Sequence, residues 1–188
     1  MQQLNSLKTN MKRFLSLATL SVLWVAFAFS PSENNTWKID KKYSVKFFNK
    51  SVGGEFLSFK GEVIFNPADL SGNRFNLSVD PLSVNTGNKM QNGHIQNKDW
   101  LDSKAYPSID FVSSSFEKHG ENYQVFGEMN MHGVKRKIKI PFTYLVNGKK
   151  KGIVKSTFSF NRFDYNIGSP TDGVDSVLTI EVTMPLKK

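Results

Sequence analysis

The chain has no cysteine among its 188 residues. That excludes disulfides, thiolate metal ligands, a cysteine nucleophile and a lipid anchor held through a cysteine thioether. It is compatible with an oxidising compartment without requiring one. Histidine is sparse too: His94, His119 and His132 stand alone, with no His-x-His or His-Glu-x-x-His spacing to suggest zinc. There is no nucleophile elbow, no Walker loop and no dinucleotide fingerprint. Asp99 and Asp102 are close in sequence, but loop carboxylates at that spacing are more often caps than an acid/base pair. With no catalytic constellation, the chain reads as a non-enzyme that needs no metal.

The one long apolar run, from Phe14 to Phe29, is broken only by Ser16, Thr19 and Ser21. It is short for a membrane span, which needs about 20 apolar residues. Lys8, Lys12 and Arg13 precede it, Ala26-Phe27-Ala28 offers a small-residue cleavage site, and polar residues follow. This is the layout of a secretory signal peptide, expected over residues 1–28, and it implies a periplasmic or secreted protein. Met11 is an alternative start. Cleavage removes three positive charges and no acid, lowering the net charge from +9 to +6. Residues 29–36 read as a linker, and residues 37–188 are long enough for one domain with its own core.

Within that domain apolar and polar residues alternate in short runs. Trp37, Ile39, Tyr43, Val45 and Phe47 open the pattern, followed by a turn at 51–54. A second strand region runs from Phe56 to Phe65, with a bulge or bend expected at Gly61. Phe75, Leu77 and Val79 make a third strand that Pro81 ends. Residues 83–107 break the rhythm: Met90, His94 and Ile95 have helical spacing, and Asp99 to Asp102 suggest a second short helical turn capped by Asp99. Strands resume at Ile109, and Asn147-Gly148 marks a later turn. Val154, Ser156, Phe158, Phe160 and Arg162 share one face of the next strand, and Leu178, Ile180, Val182 and Met184 one face of the last.

The clearest unit is residues 123–144. A two-residue turn at His132-Gly133, where glycine supplies the positive φ, pairs Met131 with Val134, Met129 with Arg136, Gly127 with Ile138, Val125 with Ile140 and Tyr123 with Phe142. The other side carries Asn130/Lys135, Glu128/Lys137, Phe126/Lys139 and Gln124/Pro141, with Glu128 and Lys137 as an opposite-charge pair. Arg136 is the misfit on the apolar side. It is read either as a rim residue snorkelling into water or as a cation at the mouth of an apolar pocket. The whole is an all-β chain of about eight antiparallel strands with one short helical excursion, forming a closed barrel or a sandwich.

Lys135, Lys137, Lys139, Lys149, Lys150 and Lys151 form a basic stripe along this ribbon and the next turn. It reads as a solvated face that also blunts edge pairing, or as a contact for an anionic membrane surface, worth about 1 kcal/mol per basic residue. Nucleic-acid binding would want aromatics on the same face, and most lie on the other.

Three segments together resemble the YceI-like family of lipid- and polyisoprenoid-binding proteins. They are Ser83-Val-Asn-Thr-Gly-Asn with His94-Ile95, Asp99-Trp-Leu-Asp102 and Tyr106-Pro-Ser-Ile-Asp-Phe111; Gly127-Glu-Met-Asn-Met-His-Gly-Val134; and Asn161-Arg-Phe-Asp-Tyr-Asn-Ile-Gly168. Tyr43-Ser-Val-Lys-Phe47 lacks the histidine that the family often has in its first strand, and Lys137 stands where the family often has proline. The resemblance implies a lipocalin-like barrel of eight antiparallel strands, exported, with an apolar cavity for an isoprenoid lipid or isoprenoid quinone. On that basis Phe47, Phe56, Phe65, Phe111, Ile138, Ile140, Phe158 and Phe160 are expected to surround the chain, with Arg136, His132, Asn88 and His94 at the mouth. The alternative is a secreted interaction or stress-response barrel whose aromatics fill a dry core. Pairing into a homodimer is left open.

Overall fold

The computed structural model describes residues 35–146, 148 and 150–188, so the signal-peptide reading at 1–28, most of the linker, Asn147 of the expected turn and Lys149 lie outside the described residues. Eleven strand segments occur among the described residues: β1 (Thr36–Ile39), β2 (Ser44–Phe48), β3 (Gly53–Phe56), β4 (Phe59–Ile64), β5 (Arg74–Val79), β6 (Val84–Asn85), β7 (Ile109–His119), β8 (Asn122–Met131), β9 (Val134–Val146), β10 (Lys151–Asn161) and β11 (Val177–Lys187). One helix, α1 (Lys89–Gln96), and the 3₁₀ turns η1 (Pro81–Ser83) and η2 (Arg162–Tyr165) complete the set.

The segments reduce to eight strands because three of them are bent. β1 and β2 both pair with β11, one after the other, and β3 and β4 pair with β2 and β1 in turn. β5 and β6 likewise follow β4 and β3. Every pairing is antiparallel, and β1 on β11 closes the sheet into an eight-stranded barrel. Closure removes most of the sheet's edges, and side chains facing inward alternate with those facing out.

The break in the second strand falls at Leu57–Ser58, ahead of the expected Gly61. Tyr43 sits in the matching break between β1 and β2, and its hydroxyl donates to the Leu57 carbonyl (2.8 Å) and accepts from the Phe59 N–H (3.1 Å). A side chain thus stands in for ladder bonds where both strands kink. Gly61 serves a different need: a Cβ there would collide with the backbone of Asn76 and Leu77, so β4 can approach β5 only through glycine.

The 123–144 ribbon has the expected register at all nine pairs, and Asn122 with Thr143 adds a tenth. His132 and Gly133 take φ of 52° and 75°, the left-handed pair that a two-residue hairpin turn requires. One expectation changes: Glu128 faces Lys137 in register but forms its ion pair with Lys135, at 3.3 Å. Asp99 to Asp102 form no second helical turn. α1 ends at Gln96 with Asn97 extended, and the chain then folds back so that the Leu101 N–H reaches Ile95 and the Ser103 N–H reaches Gln96.

Aromatic packing seals one end of the barrel. Phe65 lies within 6.1 Å, centroid to centroid, of Phe75, Phe116, Tyr123, Phe142 and Tyr144, and Trp37 donates its indole N–H to the Phe65 carbonyl. Edge-to-face contacts of this kind add about 0.5–1.5 kcal/mol each beyond burial. Phe65 is therefore part of an end plug, a correction to its expected place around a bound chain. Phe65→Ala should lower stability by about 3–5 kcal/mol, measured by urea unfolding. Retention of whatever the interior binds, in that same variant, would separate plug from binding wall.

Candidate functional site

Inside the barrel lies a cavity of about 170 Å³ that reaches from the plug region to the far end. Its lining is apolar apart from Ser78, Asp110 and Ser156. Phe47, Phe56, Phe111, Ile140, Phe158 and Phe160 line it, as do Met129, Met131 and Met184. Phe111 reaches over the neighbouring strands because Gly127 leaves room: a Cβ at Gly127 would sit 2.6 Å from the Phe111 ring. Ile138 packs against the core without lining the cavity.

The far end is covered by two segments. One is the excursion from η1 through α1 to Tyr106, which contributes Ile95, Trp100 and Leu101 to the cavity wall. The other is the loop 161–176, which contributes Ile167. The four expected mouth residues serve this cover. Asn88 is the N-cap of α1, its side-chain Oδ1 accepting from the Met90 and Gln91 N–H groups. His94 sits in the last turn of α1, where a basic side chain faces the negative end of the helix. His132 bonds the Tyr165 carbonyl through Nδ1 at 3.1 Å and lies edge-on to Tyr106. Arg136 is exposed, and its Nε donates to the Asp164 carbonyl at 3.1 Å. None of the four lines the cavity.

Arg162 holds the cover together, and it was not among the expected site residues. It is fully buried. Its guanidinium donates to the carbonyls of Asp175, Ile167, Ser169 and Val174 and to the Asp172 carboxylate (2.6 Å). The same group lies over the rings of Phe163 (4.4 Å) and Trp100 (5.0 Å), which ties loop 161–176 to the α1 excursion. The Gly168 N–H adds a bond to the Asp99 carbonyl at 2.8 Å. Gly168 has φ of 69°, and a Cβ there would strike the guanidinium. The available signal was that Arg162 continues the inward positions of β10, where a cation is out of place unless the chain folds back to satisfy it.

Burial pushes the Asp172 carboxyl up, but the Ser169 and Val174 N–H groups and Arg162 outweigh it and hold the carboxyl below its ordinary 3.8. Burial, with Asp164 nearby, pushes the Tyr165 hydroxyl up, Arg136 acting the other way. That hydroxyl is buried without a partner among the described residues, as is Ser103 Oγ. Among the described residues no three acidic, histidine or cysteine side chains gather as a metal site would need.

The YceI-like domain model matches residues 37–186. The chain belongs to the YceI-like family. Curated relatives include protein YceI of Escherichia coli, 22% identical over 183 residues and covering 88% of this chain and 96% of that one. A UPF0312 protein of Pectobacterium carotovorum is 26% identical over 134 residues, with 69% and 70% covered. Among solved structures, BcnA of Burkholderia cenocepacia superposes with a TM-score of 0.74 at 27% identity, covering 78% of this chain and 98% of that one. A polyisoprenoid binding domain from Saccharophagus degradans, implicated in plant cell wall breakdown, gives 0.66 at 15% identity, with 80% and 97% covered, and shows the shared fold.

In this YceI-like barrel, Arg162→Leu should cost about 3–5 kcal/mol, the usual effect of stripping one partner from a buried ion pair. Because Asp172 titrates lower folded than unfolded, its contribution is complete above the ordinary carboxylate pKa and is lost as pH falls through the depressed folded value. Asp172→Asn should therefore be less stable than the parent at neutral pH. The gap should close in urea titrations carried into the acid range below that ordinary value.

Proposed function

We propose that this YceI-like protein is an exported binder that holds an isoprenoid-type apolar chain, a prenyl lipid or a quinone, in the barrel for storage or transport. The observation that carries this reading is the cavity wall, which is apolar throughout except for Ser78, Asp110 and Ser156. Membership of the family and the shared fold with a polyisoprenoid binding domain support it. A chain drawn from a membrane exchanges one apolar medium for another, so the roughly 0.8 kcal/mol per CH₂ gained on leaving water is not available for selectivity. Selectivity then comes from the tube's shape and from polar groups at its covered end. Arg136 is the head-group contact in this reading, supported by its exposed side chain, of which only Nε is bonded among the described residues.

The volume favours a second reading. About 170 Å³ is below the roughly 300–1,000 Å³ of ordinary ligand pockets, as in a barrel with a filled, dry core. For a long chain to fit, the wall must widen, and unbranched Met129, Met131 and Met184 are side chains that can yield. Native mass spectrometry after incubation with host lipid extract decides between the two. One bound apolar mass of several hundred daltons supports the carrier, and a bare barrel supports the filled core. If Arg136 meets a pyrophosphate head group, Arg136→Ala should weaken that ligand by about tenfold or more, the worth of a hydrogen bond to a charged group. A neutral quinone should bind the variant as it binds the parent. Export predicts a mature N-terminus immediately after Ala28, read by terminal sequencing of protein from its own host.

A further inference from the structure

The barrel wall is not equally closed all round. β8 and β9 share ten register pairs and β10 and β11 share eleven, whereas two seams share only four: β5 with β7, and β9 with β10 from Gly152/Val146 to Lys155/Thr143, the one that carries an outer cleft. Beyond Thr143 the register pairing between the two strands stops. The cause is legible at Pro141. Its carbonyl accepts from Ser156 Oγ at 2.6 Å, so it faces β10, and in an extended strand the N–H that proline lacks would face the same way. The ladder loses a donor there, and one side-chain bond takes its place.

Above this point the cover adds its own ties, Arg136 and His132 bonding the carbonyls of Asp164 and Tyr165 in η2. The result is a slit in the ladder, latched at both ends. Phe142 and Ser156 line the interior cavity and also line an outer cleft with Asn122, Pro141, Thr143 and Lys155. Two side chains thus separate inside from outside. On the outer face beside the slit stand Lys135, Lys137 and Lys139 of β9 and Lys155 of β10. Lys135 is paired with Glu128, and the other three make no ion pair among the described residues.

The geometry points to the β9–β10 slit as a lateral portal through which the apolar chain passes, with these lysines seating the slit on an anionic bilayer. This rests on the lipid-holding reading. The occupant of the face is the bilayer because Lys137, Lys139 and Lys155 stand unpaired beside the slit, outnumbering the neighbouring acids Glu128 and Glu181, and anionic lipid surfaces attract such clusters. Passage sideways spares the clamp around Arg162 from breaking at every exchange, and the chain moves from bilayer to barrel without crossing water.

The chain's lack of cysteine makes a direct test available. Continuing the β9–β10 register places Lys139 opposite Ser159, so Lys139→Cys with Ser159→Cys can be bridged by a short bis-maleimide. Glu62→Cys with Asn76→Cys, exposed partners in the β4–β5 ladder, is the control bridge. The readout is transfer of dansyl-labelled farnesol from vesicles of phosphatidylcholine, with or without phosphatidylglycerol. Bridging the slit should slow transfer by about tenfold or more while leaving final occupancy unchanged, as expected when a gate limits exchange. The control bridge should change neither.

Equal rates with and without the slit bridge would overturn the portal and send the chain through the cover. Failure of the wild-type protein to take up the probe would overturn the lipid reading itself, and the portal with it. Should the double variant not fold, Ser156→Ala removes the latch and must speed transfer; an unchanged rate counts against the portal. Lys137→Glu with Lys139→Glu should abolish the faster transfer from phosphatidylglycerol vesicles, and indifference of the parent to phosphatidylglycerol would overturn the seating.

Discussion

The buried guanidinium of Arg162 is the contact on which the covered end of the barrel depends. A cation taken out of water costs several kcal/mol unless its donors are met. Here four carbonyls and one carboxylate meet them, and all of those acceptors come from residues 167–175. The loop can therefore take one conformation or lose the whole set. That fixes Ile167 in the cavity wall, sets Trp100 against the guanidinium and places the Asp164 and Tyr165 carbonyls where Arg136 and His132 reach them. The site has no rigid strand of its own at this end, and one satisfied charge supplies the rigidity.

The opposite end is held by a different force. The plug around Phe65 is dispersion and ring geometry, with Lys118 over the Tyr123 ring and Lys188 over the Trp37 ring. Between the two ends lies an interior lined by flexible methionines and by phenylalanines. A tube fixed at both ends and yielding in the middle suits a chain of variable contour better than a ligand of defined shape. The small free volume is then a resting value rather than a capacity, if the reading as a lipid holder is right.

Much of the fold was legible in the sequence. The 123–144 ribbon has a period of two and a glycine at its turn, and these fix its register and which side chains face inward, since a slip by one residue would expose the whole apolar set. Six of the eight side chains named for the wall do line the cavity. Phe65 does not, because alternation tells inside from outside but not how far along the axis a residue sits. The mouth residues were named for their chemistry, and the folded chain uses His132, Arg136 and Asn88 to bond backbone instead. Arg162 was passed over because its partners are carbonyls, which no side-chain pattern announces.

The lysines of β9 connect these threads. A strand with an unpaired flank is a template for pairing with another chain, and charged side chains are a common guard against it. β9 has such a flank where its ladder with β10 stops at Thr143, beside Pro141. In a continuous barrel wall, Lys135, Lys137 and Lys139 would need no explanation beyond solubility. Under the portal proposal they guard backbone that the ladder leaves unpaired, and the same charges favour an anionic surface. On that proposal edge protection and membrane seating are one arrangement of charge, set beside the proline that costs the ladder a donor.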